Sequence, residues 1–136
     1  MTDRPAHFFS VRIYYEDTDF SGAVYHASYL RFMERGRTEW LRTFGIAQSA
    51  LAAAPGPQAF GFAVRRMDID FSAPARMDDL LTVETWVARI GGASLDLVQR
   101  VLRGADVLVT AEVKIACVAG GRPVRLPPDI RAKLAG

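Results

Sequence analysis

Hydrophobic positions change their period twice along this chain. From Phe8 to Tyr15 they alternate, with Phe9, Val11, Ile13 and Tyr15 on one face and Ser10, Arg12 and Tyr14 on the other. That pattern predicts a half-buried strand. A polar turn fills residues 16–26. From about Ala27 to Phe44 the spacing becomes three and four, through Leu30, Met33, Arg37, Trp40, Leu41 and Phe44. This predicts an amphipathic helix about 27 Å long, with Ser28 as N-cap and Gly45 as its stop. Gly36 falls inside the helix, where glycine costs up to about 1 kcal/mol relative to alanine. Two explanations stand: another backbone approaches closely there, or the position is a neutral surface one.

Residues 46–58 read as a loop or short helical stretch ending in Pro55-Gly56-Pro57. Alternation then returns. Phe60–Phe71 holds Phe60, Phe62 and Val64, then Met67, Ile69 and Phe71, and the change of phase around Arg65-Arg66 predicts a bulge. Residues 72–79 break the pattern. Leu80–Arg89, Ala93–Arg103 and Val107–Val118 follow as three strands whose short glycine-containing links suit antiparallel neighbours. Pro127-Pro128 opens a short helix through Leu134. An antiparallel sheet with one apolar face needs a cover, and one long helix is available. The expected architecture is α+β, a sheet curled around a central helix, in a single domain over 1–136. Its remaining strand edges predict a homo-oligomer.

Composition narrows the function. The 136 residues are half hydrophobic, and 17 basic side chains nearly balance 15 acidic ones. The arginines are scattered rather than clustered, so no nucleic-acid surface is expected. Cys117 is the only cysteine, which excludes an intrachain disulfide and a multi-cysteine metal site; it reads as a small buried apolar residue. With only His7 and His26 in the chain, a metal hydrolase is poorly supported. Residues 1–7 lack the apolar stretch of a signal peptide, and no run approaches the roughly 18 apolar residues of a membrane span. A cytoplasmic protein without integral membrane association is expected.

Candidate chemistry gathers in Tyr14–His26. The order strand, polar turn, helix places a carboxylate beside N–H groups that still lack partners at the start of the helix. A carboxylate so placed can attack a carbonyl, or activate water to do so, while the N–H groups hold the oxyanion. Asp19 is the candidate; the plainer alternative is a turn aspartate that satisfies local N–H groups. His26 either positions substrate or packs locally. Tyr15 continues the core-facing row of the first strand, and its hydroxyl then needs a partner such as the carboxylate. Glu34 and Glu39 stand beside arginines and read as ion pairs. A serine nucleophile elbow and a phosphate-binding glycine loop are both absent.

Three stretches resemble the hotdog-fold acyl-CoA thioesterases of the 4-hydroxybenzoyl-CoA thioesterase type, in the branch associated with the bacterial Tol–Pal system. The first is Tyr15-Glu16-Asp17-Thr18-Asp19 with Gly22, Val24-Tyr25-His26-Ala27-Ser28-Tyr29 and Glu34-Arg35-Gly36-Arg37-Thr38-Glu39. The second is Asp70-Phe71-Ser72-Ala73-Pro74-Ala75 with Asp78-Asp79-Leu80. The third is Arg89-Ile90-Gly91-Gly92-Ala93-Ser94. The resemblance implies a hotdog fold and thioester hydrolysis without metal or other cofactor. It implies that Asp19 is the catalytic carboxylate, as nucleophile or general base, with Asp17 structural. The peptide N–H groups near Tyr25 and His26 would polarise the carbonyl, and Tyr15 and His26 would line the same site. Arg89, Gly91, Gly92, Ala93 and Ser94, with Ala73 and Pro74, would receive coenzyme A, partly across a subunit interface of a dimer or dimer of dimers. Phe20 and Ser21 fill variable positions. Arg65, Arg66, Arg122 and Arg125 are further phosphate candidates. An acyl-carrier-protein thioester is the alternative substrate, and a silent acyl-CoA-binding module the alternative function.

Overall fold

The long amphipathic segment forms α1, Ser28–Arg42, which lies on one face of an antiparallel sheet in the computed structural model. The structure describes residues 6–54 and 59–136. The expected Pro55-Gly56-Pro57 turn and residues 1–5 lie outside that range. The remaining elements are β1 (His7–Arg12), α2 (Gln48–Ala52), β2 (Gly61–Phe71), β3 (Leu80–Ile90), β4 (Ser94–Arg103), β5 (Asp106–Ala119), β6 (Arg122–Pro123) and α3 (Pro128–Ala135). The strand order is β1-β3-β4-β5-β2, with the two-residue β6 paired to the end of β5. β3, β4 and β5 are joined by short links as expected. β2 does not pair with its sequence neighbour β3 but crosses to the far side of the sheet against β5. The two edges are therefore β1 and β2.

Alternation along the central strands sends Leu81, Val83 and Val87, Leu95, Leu97 and Val101, and Val109, Ala111, Val113, Ile115 and Cys117 into one core. α1 meets them with Tyr29, Phe32, Met33, Trp40 and Leu41. The buried stripe is thus broader than the expected one, and Leu30 lies outside it at 40% exposure. Ser28 is the first helical residue rather than the cap. It is buried, and its hydroxyl donates to Asp17 O at 3.2 Å. Tyr15 is also misplaced by the strand reading. β1 ends at Arg12, and Tyr15, 78% exposed, opens a one-turn 3₁₀ segment.

Gly36 is decided by geometry. The position is buried, and a Cβ there would stand 2.7 Å from Val83 Cγ1, so a side chain of β3, not another backbone, makes the close approach that glycine allows. The approach lets Gln99, fully buried on β4, reach the helix: its amide nitrogen donates to Met33 O at 3.0 Å and Thr85 Oγ1 at 2.9 Å, and its oxygen accepts from Arg37 at 3.0 Å.

Three register shifts interrupt the ladder. They fall between Val64 and Arg66 on β2, where a bulge is expected, between Val87 and Arg89 on β3, and between Val101 and Leu102 on β4. No helix of the described residues is long and apolar enough to cross a membrane.

Candidate active site

Between β1 and α1 the chain makes two tight turns, and Asp17 anchors both. Its carboxylate accepts the Tyr14 N–H at 2.8 Å. Its carbonyl accepts the Tyr25 N–H at 2.9 Å and the Ser28 hydroxyl. Asp17 is buried, which fits a structural part. Thr18 and Val24 then bridge across a short hairpin. Asp19 N–H donates to Ala23 O at 2.9 Å, and Gly22 N–H to Asp19 O at 3.0 Å. Gly22 has φ of 86°, a conformation that favours glycine.

Asp19 projects from this hairpin into solvent, with one oxygen held. Oδ1 accepts the Ser21 N–H at 2.9 Å and the Ser21 hydroxyl at 2.5 Å. Oδ2 accepts nothing among the described residues. The two bonds from Ser21 hold the Asp19 carboxyl below the usual carboxylate range, with a smaller contribution from the charge of His26. The group is ionised at neutral pH with one oxygen unengaged.

The start of α1 supplies the donors. Tyr25 N–H does not serve: Asp17 O already takes it, which corrects the expectation for that residue. His26 and Ala27 donate their N–H groups to no acceptor among the described residues, because the first helical bonds begin at Ser28 N–H to Tyr25 O and Tyr29 N–H to His26 O. The His26 ring is exposed and lies against Tyr25 (centroids 4.6 Å apart) and Phe71 (6.2 Å).

Ala73 and Pro74 border this loop. The Leu108 carbonyl, freed where β5 slips its register, accepts the N–H groups of Ser72 and Ala73 at 2.8 and 3.2 Å. Tyr29 hydroxyl accepts the Ala75 N–H at 3.1 Å, and Ala75 O accepts the Val24 N–H at 2.8 Å. The strand-breaking segment is thereby tied to the Asp19 loop and to α1.

The chain matches the family description "Thioesterase-like superfamily" over residues 13–134. It belongs to that superfamily. This thioesterase-superfamily chain is 46% identical over 126 residues to the acyl-CoA thioesterase YbgC of Haemophilus influenzae, covering 91% of this chain and 90% of that protein. It is 44% identical to the acyl-CoA thioester hydrolase YbgC of Escherichia coli, covering 90% and 91%. The crystal structure of a probable thioesterase from Bartonella henselae superposes with a TM-score of 0.87 at 48% identity, covering 90% of this chain and all of the other. The hotdog architecture follows.

Not every expected site residue meets Asp19. Tyr15 makes no hydrogen bond to it; its side chain lies in a shallow depression with Arg12, Met77 and Asp78. Arg89, Gly91, Gly92, Ala93 and Ser94 form the β3–β4 hairpin, where Gly91 N–H donates to Ser94 O at 2.7 Å. The C-terminal segment braces that hairpin, with Leu126 N–H donating to Gly92 O and Arg131 to Gly91 O. The Asp19 loop adjoins the other end of β3, which spans eleven residues, roughly 33 Å. Within one protomer the hairpin and Asp19 are far apart. Two neighbours of the site were missed by sequence reasoning. Ser21 carries a local signal, a hydroxyl two residues after an aspartate, while Phe71 carries none beyond its place in a matching stretch. Cys117 is buried, and burial pushes its thiol up, away from reactivity.

Proposed function

We propose that this chain hydrolyses acyl-CoA thioesters to free acid and coenzyme A, with Asp19 as the reacting carboxylate. The observation that carries the reading is the division of labour within that carboxylate. Ser21 fixes Oδ1 while Oδ2 stays free, and the helix that follows the loop opens with two unclaimed N–H groups, those of His26 and Ala27. A thioester whose carbonyl oxygen accepts from His26 and Ala27 N–H presents its carbon to Oδ2. Attack by Oδ2 breaks the C–S bond and gives a mixed anhydride and the thiolate, which takes a proton; water then hydrolyses the anhydride. The same oxygen acting as general base delivers water directly. Either way the N–H groups stabilise charge that develops only on the way to products.

Coenzyme A is received by Ala73 and Pro74 beside the loop and by the Arg89–Ser94 hairpin of another protomer. Two facts support a homo-oligomer. The hairpin is too distant to serve its own Asp19, and Phe20, next to the carboxylate in sequence, leaves apolar surface exposed. A second copy supplies the hairpin and covers that surface.

Asp19→Asn tests the reading. The amide is neither nucleophile nor base, so kcat should fall more than about 10²-fold with an unchanged circular dichroism spectrum. A variant retaining over a third of wild-type kcat (about threefold loss) would remove Asp19 from the mechanism.

A further inference from the structure

α1 and β2 run in opposite directions and leave a groove between them. At one end Tyr29 and His26 meet Phe71, with ring centroids 5.8 and 6.2 Å apart. At the other end Glu34, Arg37 and Leu41 of α1 face Phe62 and Val64 of β2 and Ile115 of β5 around a cavity of about 170 Å³. Leu30, Val64 and Phe71 are apolar yet 40%, 45% and 47% exposed. Leu30 precedes Glu34 by one turn on the same stripe of the helix, so an apolar path runs from the site to the cavity.

The cavity has a charged wall. Arg37 is only 8% exposed, and its one hydrogen bond among the described residues goes to a neutral acceptor, Gln99 Oε1. No carboxylate of the described residues forms an ion pair with it. Burial pulls the guanidinium pKa down, and the charge of the exposed Glu34 opposes that only in part. Gln99 cannot turn away, because its amide nitrogen is held by Met33 O and Thr85 Oγ1. The core therefore fixes a cation whose remaining donors have no ion-pair partner among the described residues. A buried guanidinium is suited to a carboxylate that pairs with two donors at once.

Building on the thioesterase reading, we propose that the acyl group lies in the groove between α1 and β2 and that Arg37 selects acyl groups ending in a carboxylate. The substrate class is the mono-CoA thioesters of dicarboxylic acids. Eleven residues separate His26 from Arg37, roughly 16 Å along the helix. Helical side chains lean back toward the N-terminus, and an extended chain gains about 1.2 Å per bond. About ten to thirteen bonds thus separate the two carbonyl carbons, as in a twelve-carbon diacid.

The test compares kcat/KM for dodecanedioyl-CoA and dodecanoyl-CoA in wild type, Arg37→Met and Glu34→Gln. Arg37→Met should lower the diacid-to-monoacid ratio by about tenfold or more, chiefly through KM for the diacid. Glu34→Gln, which removes a like charge at the mouth, should raise the ratio several-fold and guards against a poorly folded Arg37 variant. If wild type hydrolyses dodecanoyl-CoA but both variants leave the ratio unmoved, the Arg37 assignment falls alone. A loss of oligomer stability in Arg37→Met without a change in ratio would overturn it too, and give the guanidinium to a second copy. If wild type turns over neither these nor shorter acyl-CoAs, the thioesterase reading falls and this one with it.

Discussion

Gln99→Leu should be costly although it makes the core more apolar. The substitution removes three hydrogen bonds, to Met33 O, to Thr85 Oγ1 and from Arg37. Met33 O keeps its helical partner, so its loss is small. Thr85 is fully buried and its hydroxyl is orphaned, at about 1–3 kcal/mol, while a hydrogen bond to a charged group is worth about 1.5–3 kcal/mol. Leucine returns about 1–2 kcal/mol through burial. The net is a loss of about 2–3 kcal/mol. With an unfolding entropy of about 0.29 kcal/mol per kelvin for 136 residues, Tm should fall by about 7–10 °C, followed by circular dichroism. Replacing both ends of the contact removes the stranded charge. Gln99→Leu with Arg37→Met should therefore cost less than the two single changes added together. A Gln99→Leu variant within about 3 °C of wild type, or strict additivity in the double variant, would show that the network does not hold the helix.

The site gives two further expectations. Ser21→Ala should move the acid limb of the kcat–pH profile upward, toward the ordinary aspartate value near 3.9. The sign follows from Ser21 favouring the ionised form of Asp19. At pH 7, kcat should fall about three- to tenfold through lost orientation while KM holds, and Ser21→Thr should restore most of it; an unmoved profile would reduce Ser21 to a turn residue. Arg89→Ala should raise KM for acyl-CoA and flatten its rise with salt, since exposed arginine–phosphate contacts are screened. Mixing the Asp19→Asn and Arg89→Ala proteins should regenerate sites with the wild-type KM if the hairpin acts in trans, and no recovery after subunit exchange would refute that.

Much of the fold is legible because period assigns faces. The strands, the helix and the β2 bulge follow from where apolar residues recur, and the bulge shows because two arginines interrupt the rhythm. Ala88, the extra residue in β3, suits either face and leaves no such trace. Alternation also says nothing about partners, so the crossing of β2 to β5 has no local signal. Leu30 entered the expected core because a helical stripe shows direction but not breadth, and its flank faces the groove. At the site, the Asp19 motif is readable as a pattern. The capture of Tyr25 N–H by Asp17 O is a backbone event that no side chain announces.

The bulges on β2 and β3 lie on one line. Arg66 pairs with Lys114, Lys114 with Asp96, and Asp96 with Arg89, so a single row crosses four strands with an extra residue beside it at each end, Arg65 and Ala88. Bulges bend their strands and raise the local twist. The row therefore acts like a crease in paper, gathering curvature into one line so that the ladders on either side can stay regular. It also turns Arg66 and Arg89 outward, each two positions after a residue that faces the helix side. The trough that cradles α1 and the charged stripe on its back come from the same two insertions.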